Sequence, residues 1–388
     1  MQITSRFNQN LYFYFLIASV CSFLLSLFLL QLFVGVLSVL WIFEKFSEKK
    51  KAFDIFDKLI FIFLVIRVIS ILFSYYPGDS SQAYYKDALF YLGFFSFDFY
   101  LKTLDKKRLK IVVYSFAAAA AVIAVIGLTR FNLSFVDRAQ SFSSGYATFS
   151  SYLLAGFGVL ICLSIDLKKG FVYKSLFLAL IFSAVITSLG RTNIATILIL
   201  FISAFILKKI NIKEVALIIL LTVIISAVSF YNNSAEANAR MEQPASLSDR
   251  DVLLKGSKDL FMEFKTPLIG YGPRTFKDIF PYKEMLTDKG IGSWHNDFIQ
   301  IYFESGILGL ASLLTIIIFS YSYLIRLLKN NEDLIYKMIL WGVLFGFSGL
   351  ILSALTAGFI DSPVLSIVFV FLISLISGIN FFVKNAQN

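Results

Sequence analysis

LYFYFLIASVCSFLLSLFLLQLFVGVLSVLWIF, residues Leu11 to Phe43, contains no Asp, Glu, Lys or Arg. An α-helix rises about 1.5 Å per residue, so about 20 apolar residues cross a hydrocarbon core of about 30 Å. This run is too long for one crossing and is expected to fold as a helical hairpin turning near Gln31. It is also too long for the apolar core of a signal peptide and lacks a small-x-small cleavage site, so it reads as retained helix. The whole chain follows suit. Of its 388 residues 58% are hydrophobic, 44 are Phe, and the mean hydropathy is +0.79. No soluble core needs that much apolar surface.

Ten further apolar runs follow, at about 59–75, 87–101, 111–129, 149–165, 171–187, 193–207, 214–230, 298–325, 338–357 and 364–383. The expected fold is all-α: a polytopic integral membrane protein with about 12 transmembrane helices, residues 1–388 forming one transmembrane domain. Charge tests the threading. Segments 1–10, 44–58, 102–110, 166–174, 208–213, 326–337 and 384–388 hold 21 Lys and Arg, whereas the short loops on the other side hold four, Lys86, Arg130, Arg138 and Arg191. The positive-inside rule then puts both termini and the lysine clusters in the cytoplasm. The long polar stretch 231–297 is exempt from that rule because long loops translocate regardless of charge. It is expected to face outward.

That loop is nearly neutral and has apolar residues of its own, so it does not read as a disordered linker. Ser248-Asp249-Arg250-Asp251 has the form of a helix start. Val252, Leu253, Leu260, Phe261 and Phe264 supply an apolar face, and Pro267 and Gly270 are expected to end the helix. The net charge of +10 is dispersed in short clusters between apolar runs, which argues against a nucleic-acid partner. No Gly-x-x-x-x-Gly-Lys-Ser/Thr and no Gly-x-Gly-x-x-Gly is present, so no nucleotide is implied. Cys21 and Cys162 lie in apolar runs, and no His, Cys or acidic spacing suggests a metal or other cofactor.

His295 is the only histidine and stands where the outward loop re-enters the membrane, in Trp294-His295-Asn296-Asp297. An imidazole titrates near neutrality, which suits a general base; a structural histidine is the plainer reading of such a residue taken alone. Arg191 sits in a tight turn, Ser188-Leu189-Gly190-Arg191-Thr192-Asn193, and either snorkels to headgroups or binds an anion at the membrane surface. Arg138 lies in an outer loop, where a solvated charge is the plainer reading. Arg250 falls in the first turn of the loop helix, and Arg274 in the Gly-rich turn Gly270-Tyr271-Gly272-Pro273-Arg274. Several outward arginines and one histidine suggest a lipid-linked diphosphate, because the guanidinium fork binds phosphate oxygens bidentately. Asp297, Gln300 and Glu304 share a helical face and imply a wet cavity. Arg67, mid-span, must face protein, and Asp98 in the next span is a candidate partner for a structural ion pair.

His295-Asn296, nine residues, then Gly306-Ile307-Leu308-Gly309 resembles the H-[NSQ]-x9-G-x-x-[GTY] signature of bacterial O-antigen ligases. Ser188 to Arg191 and the stretch from Asp249-Arg250 to Pro267-Leu-Ile-Gly-Tyr-Gly-Pro are similar to that family's arginine turn and pre-histidine segment. The resemblance implies a metal-independent membrane glycosyltransferase of the GT-C type with a large periplasmic loop, 231–297. It would move O-antigen polysaccharide from an undecaprenyl-diphosphate-linked glycan donor to a lipid A-core acceptor at the periplasmic face of the bacterial inner membrane, in lipopolysaccharide biosynthesis. His295 would be the general base. Arg191 and Arg250, with Arg138, Arg274 and Asn296, would contact the diphosphate or substrate, Arg240 competing with Arg250. O-antigen polymerases share the topology. They often carry R-x10-G motifs, which none of Arg130, Arg138, Arg240 or Arg250 begins. A lipid or glycan transporter is the remaining alternative, and neither repeat symmetry nor broken-helix pairs speak for it.

Overall fold

The computed structural model describes residues 2–47, 54–164, 169–233, 249–263, 267–286 and 291–387. Arg240, Ser248 and Phe264 lie outside them. Among the described residues the regular elements are α-helices and one 3-10 turn. In chain order they are α1 (Gln2–Ser22), α2 (Leu27–Ser47), α3 (Ile55–Leu72), α4 (Pro77–Leu101), α5 (Lys106–Asn132), α6 (Tyr146–Cys162), α7 (Gly170–Thr187), α8 (Arg191–Ile206), α9 (Ile212–Asn232), α10 (Arg250–Met262), α11 (Phe276–Ile279), α12 (Asp297–Asn330), α13 (Leu334–Ser353) and α14 (Pro363–Gln387). Each expected apolar run coincides with a long helix. Among the described residues seven helices are long and apolar enough to cross a membrane, and three more apolar stretches are shorter. α3 and α4 fall short on charge rather than length: Asp57, Lys58 and Arg67 lie in one, Lys86, Asp87 and Asp98 in the other.

The first hairpin turns at Phe23–Ser26, not near Gln31, which lies within α2. The Ser26 hydroxyl accepts from Leu29 N at 3.4 Å, and serine at a helix start outcompetes a glutamine already in helical phase. α14 is the axis of the bundle: Val364 to Asn380 are buried without a break. It is apolar on all sides because other helices rather than lipid surround it. α13 lies unusually close to α6. A Cβ on Gly158 would meet the Gly346 backbone, and Cβ atoms on Gly342 and Gly346 would meet the backbone of Val159 and Ala155. Small residues four apart let two helices approach without a side chain between them.

The ends of the bundle differ. At one end, Lys102 Nζ donates to Asp54 at 2.6 Å and also to Asp98. Lys106 pairs with Asp333, and Lys174 with Glu214 at 3.3 Å. Burial alone would lower the Lys102 pKa, but the carboxylates of Asp98 and Asp54 more than reverse this and hold it above its ordinary value. These pairs join the segments expected in the cytoplasm. Asp98 is therefore not the partner of Arg67. It lies one turn before Lys102 and belongs to this end.

Candidate functional site

The opposite end is assembled through polar contacts between loops. Ala139 N, next to Arg138, donates to Thr187 O at 3.0 Å, tying the Arg138 loop to the end of α7. Three residues carry the chain from there into the Arg191 turn. Leu189 is left-handed at φ 56°, and Gly190 caps α8 from an extended conformation. Asn193, one turn into α8 and buried, donates to Ser150 Oγ at 2.6 Å and Ser151 Oγ at 3.3 Å. Its Oδ1 accepts from Ser353 Oγ at 3.0 Å. Ser353 is the last residue of α13, brought beside α6 by the glycine packing. Residues 338–357 were expected as one span, but the helix stops at Ser353 and a loop follows.

That loop holds the other half of the site. Asn296 Nδ2 donates to Leu355 O at 3.2 Å, and Arg250 Nη2 donates to Thr356 O at 3.4 Å. Asp297 N donates to Ala354 O at 3.0 Å. The Asp297 carboxylate accepts from Phe359 N at 2.6 Å and Ile360 N at 3.3 Å. Arg138, Arg191, Arg250, His295 and Asn296 thus stand on turns joined, directly or through one side chain, to the ends of α7 and α13. Asn296 caps α12, its Oδ1 accepting from Phe298 N at 3.0 Å and Ile299 N at 3.1 Å. Its amide is engaged at both atoms within the protein, which fixes the backbone next to His295.

His295 is half-buried, with φ 49°. A left-handed backbone is uncommon for a non-glycine residue and persists only where surroundings enforce it. Asn296 enforces it on one side. On the other, Trp294 is buried in a small separate core with Leu253, Phe276, Phe280, Leu286 and Phe303. Phe276 meets the indole edge-on at 4.9 Å. α10 contributes Leu253, and Gly256 lets the Phe280 ring lie against its backbone. The segment before α12 therefore has an apolar core of its own. Arg250 lies in the first turn of α10, as expected, but Asp249 stands at the cap position, left-handed at φ 61° with no side-chain cap, and the helix ends at Met262, before Pro267. Phe261 lies outside the core, exposed and stacked on Tyr302 at 5.5 Å.

The arginines differ in what they touch. Arg138 lies over the Tyr146 ring at 3.9 Å, and its Nε is buried without a hydrogen-bond partner. Arg191 is exposed. Arg250 is bound only through a carbonyl. No carboxylate pairs with these three among the described residues. Arg274 is left-handed at φ 58°, and its backbone N donates to Glu304 Oε1 at 2.8 Å.

The glycine part of the motif has a structural cause. At Gly306, φ 64° and ψ −166° interrupt α12. Phe303 O and Glu304 O, which would accept from Ile307 N and Leu308 N in an unbroken helix, accept instead from Tyr271 N at 2.8 Å and Gly272 N at 2.9 Å. Ile307 N and Leu308 N donate to Pro267 O at 2.8 Å and Leu268 O at 3.3 Å. The 267–272 segment replaces the lost helical bonds, as a kink within a membrane requires. A Cβ on Gly306 would meet the Leu268 backbone, and one on Gly270 the Glu304 backbone.

Asp297, Gln300 and Glu304 share a face, but it is not a wet cavity. All three are at most 1% exposed. Arg67 Nη1 donates to Glu304 Oε2 at 2.6 Å, and Gln300 Nε2 to Glu304 Oε1 at 3.0 Å. Glu304 is the counter-ion that Arg67 needs. The sequence did not single out Asn193, Ser353 or loop 354–361 as parts of the site. The cluster Thr356, Gly358, Asp361, Pro363 is the local signal that the span had ended. Asp54, Asp57 and Asp98 offer oxygens within 4.8 Å of one another at the lysine end, where the Lys102 ammonium already bonds two of them.

Residues 176–314 match the family model described as O-Antigen ligase. The match runs from α7 to beyond the Gly306 kink and includes Arg191, Arg250, Arg274, His295 and Asn296; Arg138 precedes it. No curated protein matches the chain. The chain is an integral membrane protein whose residues 176–314 are similar to the O-antigen ligase family.

Proposed function

We propose that this domain transfers O-antigen polysaccharide from undecaprenyl diphosphate to lipid A-core, at the periplasmic face of the inner membrane, with His295 as general base and no metal. The observation carrying the reading is the run of contacts through Thr187, Asn193, Ser353 and loop 354–356. It gathers cationic side chains, with no carboxylate partner among the described residues, around the turn that presents the only histidine. In the reaction, the acceptor hydroxyl oxygen attacks the anomeric carbon. The bond from that carbon to the phosphate oxygen breaks, and the diphosphate leaves with the electron pair. Arg191 and Arg250, with Arg138 and Arg274 nearby in the loops, stabilise its charge. The hydroxyl proton passes to the neutral His295 imidazole. Asn296 positions that imidazole through the backbone. Two lipid-anchored substrates meeting in one plane gain from orientation.

The test is transfer by the purified chain from undecaprenyl-diphosphate glycan to lipid A-core in EDTA, wild type against His295→Ala. Removing a general base is expected to lower transfer by roughly 10²–10⁴-fold while folding is retained. Full activity in His295→Ala would remove the base assignment. Elongation of carrier-linked glycan, with no product on lipid A-core, would make the chain a polymerase of the same family. Absence of transfer to any acceptor would favour a transporter.

A further inference from the structure

At the lysine end, the turn between α8 and α9 borders an open cavity of about 600 Å³ lined in part by Phe205, Ile206, Lys208, Lys209, Asn211 and Glu214. Its charge is unbalanced. Glu214 pairs with buried Lys174 at 3.3 Å, and its other oxygen accepts from Asn211 N at 2.9 Å, so its charge is already matched. Lys208 and Lys209 have no carboxylate partner among the described residues. Lys209 Nζ lies 3.8 Å over the Trp341 ring. Burial lowers its pKa, partly countered by the Cys162 thiol and reinforced by the Lys337 ammonium, so an arriving anion would relieve it. Lys208 is left-handed at φ 56°, in the closing turn where Lys209 N donates to Ala204 O at 2.8 Å. Glycine is the usual occupant of such a position; here it carries an exposed ammonium at the cavity mouth.

An apolar track leads to this cavity. Leu198, Ile199, Ile202, Phe205 and Ile206 are exposed along one face of α8, at the three- and four-residue spacing of a continuous helical stripe. A cationic cavity at the end of an apolar stripe matches a molecule with an anionic head and a hydrocarbon tail. We propose that the α8–α9 cavity binds the phosphate of an anionic glycerophospholipid, with its acyl chains along the exposed face of α8. The site lies at the opposite end of the bundle from His295 and does not depend on the proposed reaction.

The test is native mass spectrometry of the full chain in detergent, titrated separately with phosphatidylglycerol, phosphatidylcholine and inorganic phosphate. Phosphatidylglycerol is expected to bind about tenfold tighter than phosphatidylcholine, and Lys208→Gln/Lys209→Gln is expected to remove that difference. Lys208→Arg/Lys209→Arg should retain it, as should Lys329→Gln, a change to an exposed lysine elsewhere at the same end. Equal binding of the two lipids by wild type, or an unchanged preference in the double Gln variant, overturns the site. Inorganic phosphate that binds alone, with the same lysine dependence, and is not displaced by phosphatidylglycerol overturns the lipid assignment. If the double Gln variant does not fold, Lys208→Gln alone decides, because its side chain is exposed: it must weaken phosphatidylglycerol several-fold and leave phosphatidylcholine unchanged.

Discussion

Both ends of the bundle are cationic, but they hold their cations differently. At the lysine end, Lys102, Lys106 and Lys174 meet carboxylates and tie loop to loop. At the arginine end, Arg138 meets a ring face, Arg250 a carbonyl, and Arg130 the Ser141 carbonyl and the Phe142 ring at 5.0 Å. A carboxylate cancels a cation's charge; a carbonyl or ring only orients it. The lysine end is thereby built as a set of clasps, with the α8–α9 turn as the exception. The arginine end keeps its positive charge for something that arrives. Substitutions at the first should change stability and spare transfer, and substitutions at the second should do the reverse.

The largest effect is expected just beneath the arginine end, where a clasp supports it. Glu304→Gln removes the carboxylate that buried Arg67 meets at 2.6 Å, which costs about 3–5 kcal/mol. Arg67→Met with Glu304→Met removes both charges and should recover most of that loss. Unfolding of the purified variants measures both. A Glu304→Gln variant as stable as wild type would bring back the wet cavity. Next in size is Gly306→Ala. It forces an alanine to φ 64° and ψ −166°, a region essentially only glycine adopts, at about 1–3 kcal/mol, and drives its Cβ toward the Leu268 backbone, so both stability and transfer should fall. Gly35→Ala is the control: it has open space around it and should be neutral or stabilising by about 0.5–1 kcal/mol.

Arg191→Gln separates the two ends most directly. The side chain is exposed and makes no ion pair among the described residues, so the unfolding temperature should stay put. Transfer should fall by about 10²–10³-fold if the guanidinium stabilises the leaving diphosphate. An unfolding temperature that fell while transfer held would make Arg191 a snorkelling anchor instead.

The apolar periodicity made the helices legible, because a membrane-crossing helix announces itself by length and composition. The ends of helices were less so: Ser353, the last residue of α13, is bound by Asn193 and Ser151 from other helices, a contact that no local rule anticipates. Glu304 looked wet because its polarity was visible and its partner was not; Arg67 lies 237 residues away in the chain. The histidine motif was visible as spacing. Its glycine acquires a reason only when the 267–272 segment is seen to take over the hydrogen bonds of a broken helix. Arg191 and Arg250 could be picked out by residue type and turn, whereas their connection through loop 354–356 is purely tertiary.

The smallest effect belongs to the lysine end and depends on pH. Asp333 caps α13, accepting from Ile335 N at 2.9 Å and Tyr336 N at 3.1 Å, and also pairs with Lys106. Burial pushes its pKa up, but the Lys106 hydrogen bond and the two backbone N–H groups outweigh it, so it stands below the ordinary value. A carboxylate with a depressed folded pKa stabilises the protein above its unfolded pKa of about 3.9 and loses that contribution as pH falls through the folded value. Asp333→Asn keeps an acceptor for the cap and loses the charge. It should cost under about 1 kcal/mol at neutral pH, because the pair is partly exposed, and the deficit should shrink toward zero in acid. Asp333→Ala also loses the cap, about 1 kcal/mol that persists at every pH. Unfolding of the three proteins between neutral and acid pH measures the difference. Both variants should transfer glycan at the wild-type rate at neutral pH; a loss in Asp333→Asn as large as that in Arg191→Gln would mean that the clasps and the site are one coupled device.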